Sequence, residues 1–306
     1  MAHCVVPEAE AILDREFKVL DKGFVRLVDY LGGDARIVQA ARVSYGEGTK
    51  SYREDAGLID YLMRHEHTSP FEQVALSFHV KLPIFVARQW IRHRTARVNE
   101  ISGRYSIMKD EFYLPADADV AAQSEDNKQG RAEEPMEAAE AAKIRNLLDK
   151  GQTAAYEDYS SLVEEGLARE LARINLPLSL YTEWYWQIDL HNLFRFLSLR
   201  LDPHAQKEIR LYARTMLEIT RAVAPAATES FERNILHGVR FNGAEMAELK
   251  RRLGVAGKGA PTEATAGMAK AGNAVPGKAP EQGQEPLLKG KALERFEEKL
   301  RSGKQI

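Results

Sequence analysis

The residues of this sequence that could most clearly bind a ligand or take part in a reaction lie in an arginine-rich segment that runs from Arg88 to Arg104. It holds five arginines and one histidine, and Glu100 is its one acidic residue. Guanidinium groups stay charged at physiological pH, so this crowding requires a solvated helix face, acids from elsewhere in the chain, or a bound polyanion. Four apolar side chains interleave with the charges: Trp90, Ile91, Val98 and Ile101. These apolar side chains indicate that the segment is attached to the hydrophobic core, and its arginines indicate that it can bind an anion.

Two histidines before this segment form a second candidate site. His65 and His67 flank a glutamate, which invites a metal-site interpretation. The sequence offers no third ligand at a telling spacing, and a protonated histidine near a helix C-terminus is favoured by the helix dipole. A capped helix end is therefore the preferred interpretation. A metal hydrolase that uses His65, His67 and His204 is the less favoured alternative.

The composition limits the classes of function. There are 43 basic and 45 acidic residues, and the net charge of −2 gives no global attraction to nucleic acid or to an anionic membrane. The one cysteine, Cys4, excludes an internal disulfide and fits the reducing cytoplasm. No apolar run approaches the length of a membrane span, and residues 1–20 lack the apolar core of a signal peptide. We expect a cytoplasmic protein without a nucleic-acid or membrane partner.

The apolar patterns predict an α+β protein that positions the arginine segment on rigid elements. Strands are expected over residues 23–30, 74–80 and 180–188. Helices are expected over residues 34–43, from Asp55 to residue 63, from Pro83 into the arginine segment, over 137–165 and 169–173, from Asp189 to Arg200, and from Asp202 onward. The arginine segment would then begin as a helix and end as an extended loop. Residues 115–136 are polar and are interpreted as a mobile loop.

The composition changes after residue 254. Residues 255–285 are rich in Ala, Gly, Pro, Lys and Glu, which predicts a disordered, low-complexity linker. A short amphipathic helix would follow, with Leu293, Phe296 and Leu300 on one side. We therefore expect one ordered domain over residues 1–254 and a tail over residues 255–306.

The spacing inside the arginine segment resembles the signature of the flavin-dependent thymidylate synthases, Arg-His-Arg followed by seven residues and Ser. This chain has the pattern from Arg92 to Ser102. Further similarity lies in residues 65–72, 169–173 and 199–206. The resemblance covers roughly residues 20–250, and so many motifs in the same order along the chain do not match by chance. It implies that family's α+β fold, a mixed or antiparallel sheet packed with long helices, as the catalytic domain.

The resemblance also implies which residues bind each ligand. The nucleotide dUMP would be held by Gln89, Trp90, Ile91, Arg92, Glu100, Ile101, Ser102, Gly103, Arg104, Arg173 and Arg200. The cofactor FAD would be met by Ser69, Arg92, His93, Arg94, Glu100, Asp189, Leu190, His191 and Arg195. His67 would line the flavin and folate side of the pocket, and Ser44 would lie near the flavin. No metal is implied.

The implied reaction is the reductive methylation of dUMP to dTMP. Methylenetetrahydrofolate would donate the carbon, and FAD reduced by NADPH would supply the electrons. Arg200 would be the catalytic residue that helps to ionise the uracil N3, because a guanidinium within about 4 to 6 Å lowers a neighbouring pKa by roughly 1 to 3 units. The glycine-rich dinucleotide motif is absent, which agrees with a family whose flavin lies at the subunit interfaces of a homotetramer.

Two arginines depart from the family's pattern. Arg195 stands where the family usually has His or Asn, and its fixed charge bears on the pose and reduction potential of the flavin. Arg97 stands where many relatives have a small residue. An alternative function for the Arg88–Arg104 cluster is a nucleotide or nucleic-acid binding module that stacks bases on Trp90 and Tyr105. The near-neutral net charge argues against that alternative.

Overall fold

A computed structural model of the chain describes residues 4–43, 52–125, 128–254 and 286–303, and the side chains of residues 52–54 lie outside that description. The chain divides into two compact units, Met1–Phe231 and Glu232–Ile306. The first unit combines an antiparallel sheet with helices, which confirms the expected α+β class. None of the described helices is long and apolar enough to cross a bilayer.

A five-stranded antiparallel sheet forms the centre of the first unit. The described strands are β1 (Glu16–Val19), β2 (Gly23–Leu31), β3 (Ala75–Pro83), β4 (Arg97–Glu100), β5 (Ala121–Gln123), β6 (Arg131–Pro135) and β7 (Tyr181–Asp189). The central sheet has the order β1-β2-β3-β7-β4, and β5 and β6 form a separate two-stranded sheet. Strands β2, β3 and β7 confirm three predictions. Strand β4 was missed because four exposed residues at a sheet edge carry no alternating burial pattern.

Alternation of side chains along β3 and β7 gives the central sheet an apolar face. Phe78 pairs in register with Trp186, and Val80 pairs with Trp184. All four side chains are buried. Cross-strand pairs of aromatic and β-branched side chains are the stabilising contacts of a sheet, so this face is the core side.

Nine of the described helices lie in the first unit. They are α1 (Pro7–Glu10), α2 (Asp34–Arg42), α3 (Tyr52–Arg64), α4 (Ile84–Trp90), α5 (Ala138–Glu164), α6 (Arg169–Ala172), α7 (Leu190–Arg200), α8 (Lys207–Val223) and α9 (Pro225–Phe231). Helix α7 begins as predicted, because the Asp189 side chain accepts a 2.9 Å hydrogen bond from the Asn192 amide. Its inward residues Leu190, Leu193, Phe194 and Leu197 are buried, as the apolar spacing predicted.

Residues 115–136 contain ordered structure, so their interpretation as a mobile loop was wrong. Strands β5 and β6 pair as a hairpin within this stretch. Arg131 ties the hairpin to α8, because its Nη2 donates a 2.7 Å hydrogen bond to the buried Glu208 and its Nη1 donates to the Asp119 carbonyl. A long-range ion pair of this kind has no signature in local composition.

Three helix predictions were wrong in detail. Helix α8 begins at Lys207, because Asp202 instead forms a local turn in which its carboxylate accepts from the His204 amide at 2.8 Å. Asp55 lies inside α3 and pairs with Arg42 at 2.8 Å, so it does not cap that helix. The apolar side chains of Leu147 and Leu148 predict a core position on α5, but both are exposed.

The second unit contains a helix pair joined by a buried ion pair. Helices α10 (Gly243–Arg252) and α11 (Lys291–Ser302) are its described α-helices, and Glu232–Leu236 forms a π-helix. Lys299 Nζ on α11 lies 2.8 Å from a carboxylate oxygen of Glu245 on α10, and Phe296 is completely buried. Helix α11 lies where the sequence predicted an amphipathic helix. The linker predicted for residues 255–285 lies outside the described residues.

Candidate functional site

The arginine segment spans helix α4, a turn and the edge strand β4. Trp90 anchors it, because its fully buried ring lies 5.7 Å from Trp184, 5.4 Å from Trp186 and 4.8 Å from Phe196. The prediction that Trp90 ties the segment to a core is confirmed. Its side chain cannot stack on a base, which contradicts that part of the nucleic-acid alternative, and only its backbone can reach a ligand.

The other apolar residues of the segment are not in the core. Ile91 is 38% exposed, Val98 is 43% exposed and Ile101 is 41% exposed. The prediction that these side chains tie the segment to a core was wrong, because they follow the end of α4 or belong to the edge of the sheet. Exposed apolar groups beside charged ones form a surface that suits an aromatic, anionic ligand.

Four arginines of the segment are exposed and have no acidic partner within the described parts of the chain. They are Arg88, Arg92, Arg94 and Arg97. The fifth, Arg104, pairs with Glu170 at 3.2 Å. This leaves a surplus of positive charge around one short helix end. Such a surplus favours anions that carry several negative oxygens.

A first group of site residues forms around Arg200. Its Nε donates a 3.1 Å hydrogen bond to Nε2 of His93, and its Nη2 donates to the Gln89 carbonyl at 3.1 Å. Burial lowers the pKa of His93 to about 4, with further lowering by the positive charges of Arg200 and Arg195. His93 is therefore neutral near pH 7, and its Nε2 can accept the hydrogen bond from Arg200.

A second group forms around the turn after β4. The sequence Ser102-Gly103-Arg104 predicts a turn, and the amides of Tyr105 and Ser106 close it by donating to the Ser102 carbonyl at 3.1 Å. Arg169 holds it from α6 by donating a 2.6 Å hydrogen bond to the Tyr105 carbonyl. Arg173 packs against Gly103 so closely that an added Cβ would lie 3.1 Å from its Cδ. Arg173, which is far from Gly103 and Arg104 in the chain, is thereby brought against them.

Glu100 stands between these groups on β4. Its carboxylate Oε1 accepts a 2.6 Å hydrogen bond from the hydroxyl of Thr182 on β7. The amide of the next residue, Ile101, donates to the Glu183 carbonyl at 2.9 Å. Thr182 was missed at the sequence level. A buried threonine on the apolar face of a strand, among tryptophans, is the signal that could have found it.

An open cavity of about 210 Å³ lies beside the first group. It is lined by Ile91, His93, Arg94, Ala96, Val98, Trp184 and Trp186. Arg97 is not among these residues, because side chains alternate along β4 and Arg97 takes the sheet face opposite to Val98. The extra charge at position 97 is therefore directed away from the cavity.

The remaining FAD candidates lie around the start of α7. The short helix Phe71–Gln73, two residues after Ser69, packs against α7, the helix that carries His191 and Arg195. Leu190 is fully buried, so only its backbone can meet a ligand. Arg195 is exposed on the same helix. The positive charge of Arg195 helps to lower the pKa of His93 and so links this group to the arginine segment. Ser44 lies outside the described residues.

His67 lies in an aromatic group with Tyr61 and His65, with ring centroids 6.0 and 6.4 Å away. Among the described residues, no cluster of three or more His, Cys, Asp or Glu side chains could hold a metal ion. His204, the third residue of the metal alternative, pairs with Asp202 at 2.9 Å.

The fold and the site together define a class of protein. An antiparallel α+β scaffold gathers unpaired guanidinium groups around an aromatic cavity, and this arrangement suits a phosphorylated ligand with a flat ring.

Similar proteins identify the family. Residues 26–226 match the family described as thymidylate synthase complementing protein, and residues 239–306 match the thymidylate synthase ThyX C-terminal domain. A flavin-dependent thymidylate synthase of Treponema denticola is 60% identical over 294 residues, which cover 96% of this chain and 100% of that protein. Its counterpart in Treponema pallidum is 57% identical over 305 residues, which cover 100% of this chain and 91% of that protein.

A solved structure agrees with these relatives. The UMP/dUMP methylase of Streptomyces cacaoi, crystallised with 5-Br dUMP, has a TM-score of 0.65 and 31% sequence identity, and the match covers 72% of this chain and 99% of that one. This chain therefore belongs to the flavin-dependent thymidylate synthase family of enzymes, as the arginine-segment signature indicated. The match over residues 239–306 also identifies the C-terminal unit as a recognised domain of these enzymes, which the composition did not reveal.

Proposed function

We propose that this enzyme converts dUMP to dTMP by reductive methylation, with methylenetetrahydrofolate as carbon donor and NADPH-reduced FAD as reductant. One observation carries the proposal: the exposed arginines at the end of α4 have no acidic partner in the described chain and adjoin a cavity with aromatic walls. All the proposed ligands are anionic, and most carry a flat ring. A phosphate monoester has a charge of about −1.5 to −2 near neutral pH, so each needs two or more cations.

The residues present fit FAD. Arg92 and Arg94 would hold its pyrophosphate, since guanidinium groups bind phosphate oxygens in pairs. Ile91 and Val98 give the adjoining cavity the exposed apolar surface that a ring requires, and the buried Trp184 and Trp186 complete its lining. Ser69, His93, Glu100, Asp189, Leu190, His191 and Arg195 complete the proposed FAD set, and His67 would line the folate side. When bound, FAD supplies the electron transfer that no side chain of this chain can perform.

Arg200 is the proposed catalytic residue. Its hydrogen bonds to His93 and to the Gln89 carbonyl fix the guanidinium between a residue of the proposed FAD site and a residue of the proposed dUMP site. A fixed positive charge beside the uracil N3 would favour loss of the N3 proton and thereby activate C5. The protein then needs no covalent nucleophile. That agrees with a chain whose one cysteine, Cys4, lies far from this group in sequence.

We also propose a homotetramer with active sites at subunit interfaces. The dUMP candidates fall into two groups, one around Arg200 and Gln89 and one around Gly103, Arg104 and Arg173. Each group is held by its own contacts, and no contact among the described residues joins Arg200 to Arg104 or Arg173. A site completed by a second copy would bring one chain's first group to another chain's second group. The exposed apolar residues Leu171, Ile174 and Leu178, next to the second group, suit such an interface.

The domain proposal is that residues 1–254 suffice for catalysis. All proposed site residues lie between residues 67 and 200. In the structure the first compact unit ends at Phe231, which is earlier than the proposed domain boundary at residue 254. A chain that ends after Gly254 should therefore bind dUMP and FAD as the full chain does, and loss of binding by a folded, truncated protein would contradict the proposal. A cytoplasmic location suits the single cysteine and these substrates.

The decisive experiment is the visible spectrum of the purified full-length protein, followed by turnover. We expect a yellow protein, or one that becomes yellow with added FAD, whose colour NADPH bleaches without oxygen. With methylenetetrahydrofolate present, dUMP should then yield dTMP, and omission of either NADPH or the folate should stop the reaction. UMP, offered in parallel, tests whether the site requires a deoxyribose. A colourless protein that ignores FAD would contradict the proposed function.

A further inference from the structure

Glu100 has an unusual partner. It is the one acid among the five arginines of the segment, yet none of them forms an ion pair with it in the described structure. Its partner is Thr182, whose hydroxyl donates a 2.6 Å hydrogen bond to Oε1. Within the described chain the second oxygen, Oε2, has no hydrogen-bond donor, and the Glu100 side chain is exposed.

Thr182 is held rigidly. It is only 2% exposed and lies on β7, which is hydrogen-bonded to β3 on one side and to β4 on the other. A β-branched side chain on a central strand has few rotamers, so the hydroxyl has one direction. The Glu183 carbonyl accepts from the Ile101 amide and fixes the backbone just after Glu100. Two neighbouring residues of β7 thus hold both the side chain and the backbone at this point.

We propose that Thr182 is a positioning residue that holds the Glu100 carboxylate on Oε1 and leaves Oε2 aimed outward to accept a hydrogen bond from bound dUMP. The inference rests on the proposed function, since it takes the Glu100 region as part of the dUMP site. A free glutamate among arginines would collapse onto a guanidinium and neutralise a phosphate-binding charge. The threonine hydroxyl carries no charge, so it orders the carboxylate and leaves the arginines available.

The test is a double-mutant cycle on the full-length, flavin-loaded protein. Thr182→Val removes the hydroxyl at nearly constant volume, Glu100→Ala removes its acceptor, and the double variant combines them. Calorimetric titration with dUMP measures binding without turnover, while KM and kcat are measured separately. Thr182→Ser, which keeps a hydroxyl, is the matched control. Thr182→Ala replaces the valine variant in the cycle if that variant does not fold.

We expect Thr182→Val to keep its flavin and its melting temperature but to bind dUMP about tenfold more weakly, the effect of losing one charge-assisted hydrogen bond. KM should rise more than kcat falls, and Thr182→Ser should bind nearly as the wild type does. In the double variant the valine should add almost nothing to the effect of Glu100→Ala, because both act through one carboxylate. Additive losses of dUMP affinity in the double variant, or unchanged affinity in Thr182→Val, would overturn this inference but not the proposed function. A wild-type protein that binds neither FAD nor dUMP would overturn the proposed function as well.

Discussion

The Nε of Arg200 donates a 3.1 Å hydrogen bond to Nε2 of His93, a residue 107 positions earlier in the chain. The bond joins the end of α7 to the turn after α4. It requires a neutral histidine, and the low pKa of His93, about 4, provides one over the whole physiological range. The orientation of the proposed catalytic guanidinium therefore depends on a residue of the arginine segment.

Replacement of Arg200 by alanine should retain flavin and abolish most turnover. The proposed role lowers the N3 pKa by roughly 1 to 3 units, so the expected loss in kcat is about 10- to 1000-fold. The flavin absorbance and the rate of dTMP formation are the measurements. Arg200→Lys should recover part of the rate through its charge. Arg145→Ala, which removes a surface pair with Asp117, should not change the rate. Normal turnover in Arg200→Ala would refute the catalytic assignment.

The pKa of His93 predicts a specific loss of stability in mild acid. An unfolded histidine titrates near pH 6.5, and the folded one, because of burial and two neighbouring arginines, near pH 4. The unfolded state thus binds more protons between these values, so this group's stabilisation is full above about pH 6.5 and is lost as the pH falls towards about 4. Thermal unfolding of the wild type and of His93→Gln, from about pH 4.5 to 7.5, measures it. The glutamine variant should lose less stability over this range, and equal slopes would contradict the assignment.

Gly103→Ala should weaken dUMP binding. An added Cβ would lie 2.8 Å from Met108 Sδ and 3.1 Å from Arg173 Cδ, so Arg173 must shift by a few tenths of an ångström. A displaced phosphate-binding arginine should raise the dissociation constant of dUMP roughly tenfold, the cost of one charge-assisted hydrogen bond.

Gly151 on α5 provides the control for this substitution, because nothing lies within 4 Å of its added Cβ. Gly151→Ala should leave dUMP affinity unchanged and stabilise the protein by about 1 kcal/mol, the helix-propensity gain of alanine over glycine. If the two alanine variants bound dUMP equally well, the packing of Arg173 on Gly103 would have no part in the site.

Lys299→Met should loosen the C-terminal helix pair. Lys299 Nζ donates 2.8 and 2.9 Å hydrogen bonds to the two oxygens of the buried Glu245, and this bonding lowers the pKa of that carboxyl. Without the lysine the carboxylate loses both of these hydrogen bonds and retains the one from the Asn242 amide, at a cost of about 1.5 kcal/mol or more. Amide hydrogen exchange in α10 should accelerate, whereas Lys291→Met, at an exposed position of α11, should have no effect. Unchanged exchange in Lys299→Met would show that the pair does not hold α11.

By itself the sequence determined the family, the α+β class, and most of the helices and strands. These properties depend on residues that are close together in the sequence. The spacing from Arg92 to Ser102 is a contiguous motif, and the alternation of apolar and polar side chains along β3 and β7 follows from the two-residue period of a strand. The buried stripe of α7 was predictable for the same reason, since side chains four residues apart share one helix face.

Only the tertiary structure decided which of the site residues meet. The bond between Thr182 and Glu100 spans 82 residues, and the bond between Arg200 and His93 spans 107. Such pairs follow from the order β3-β7-β4 and from the packing of α7, and no local period encodes either. The same reason explains the exposure of Val98, because an apolar residue on an edge strand has the local pattern of a core residue and lacks only the neighbour that would cover it.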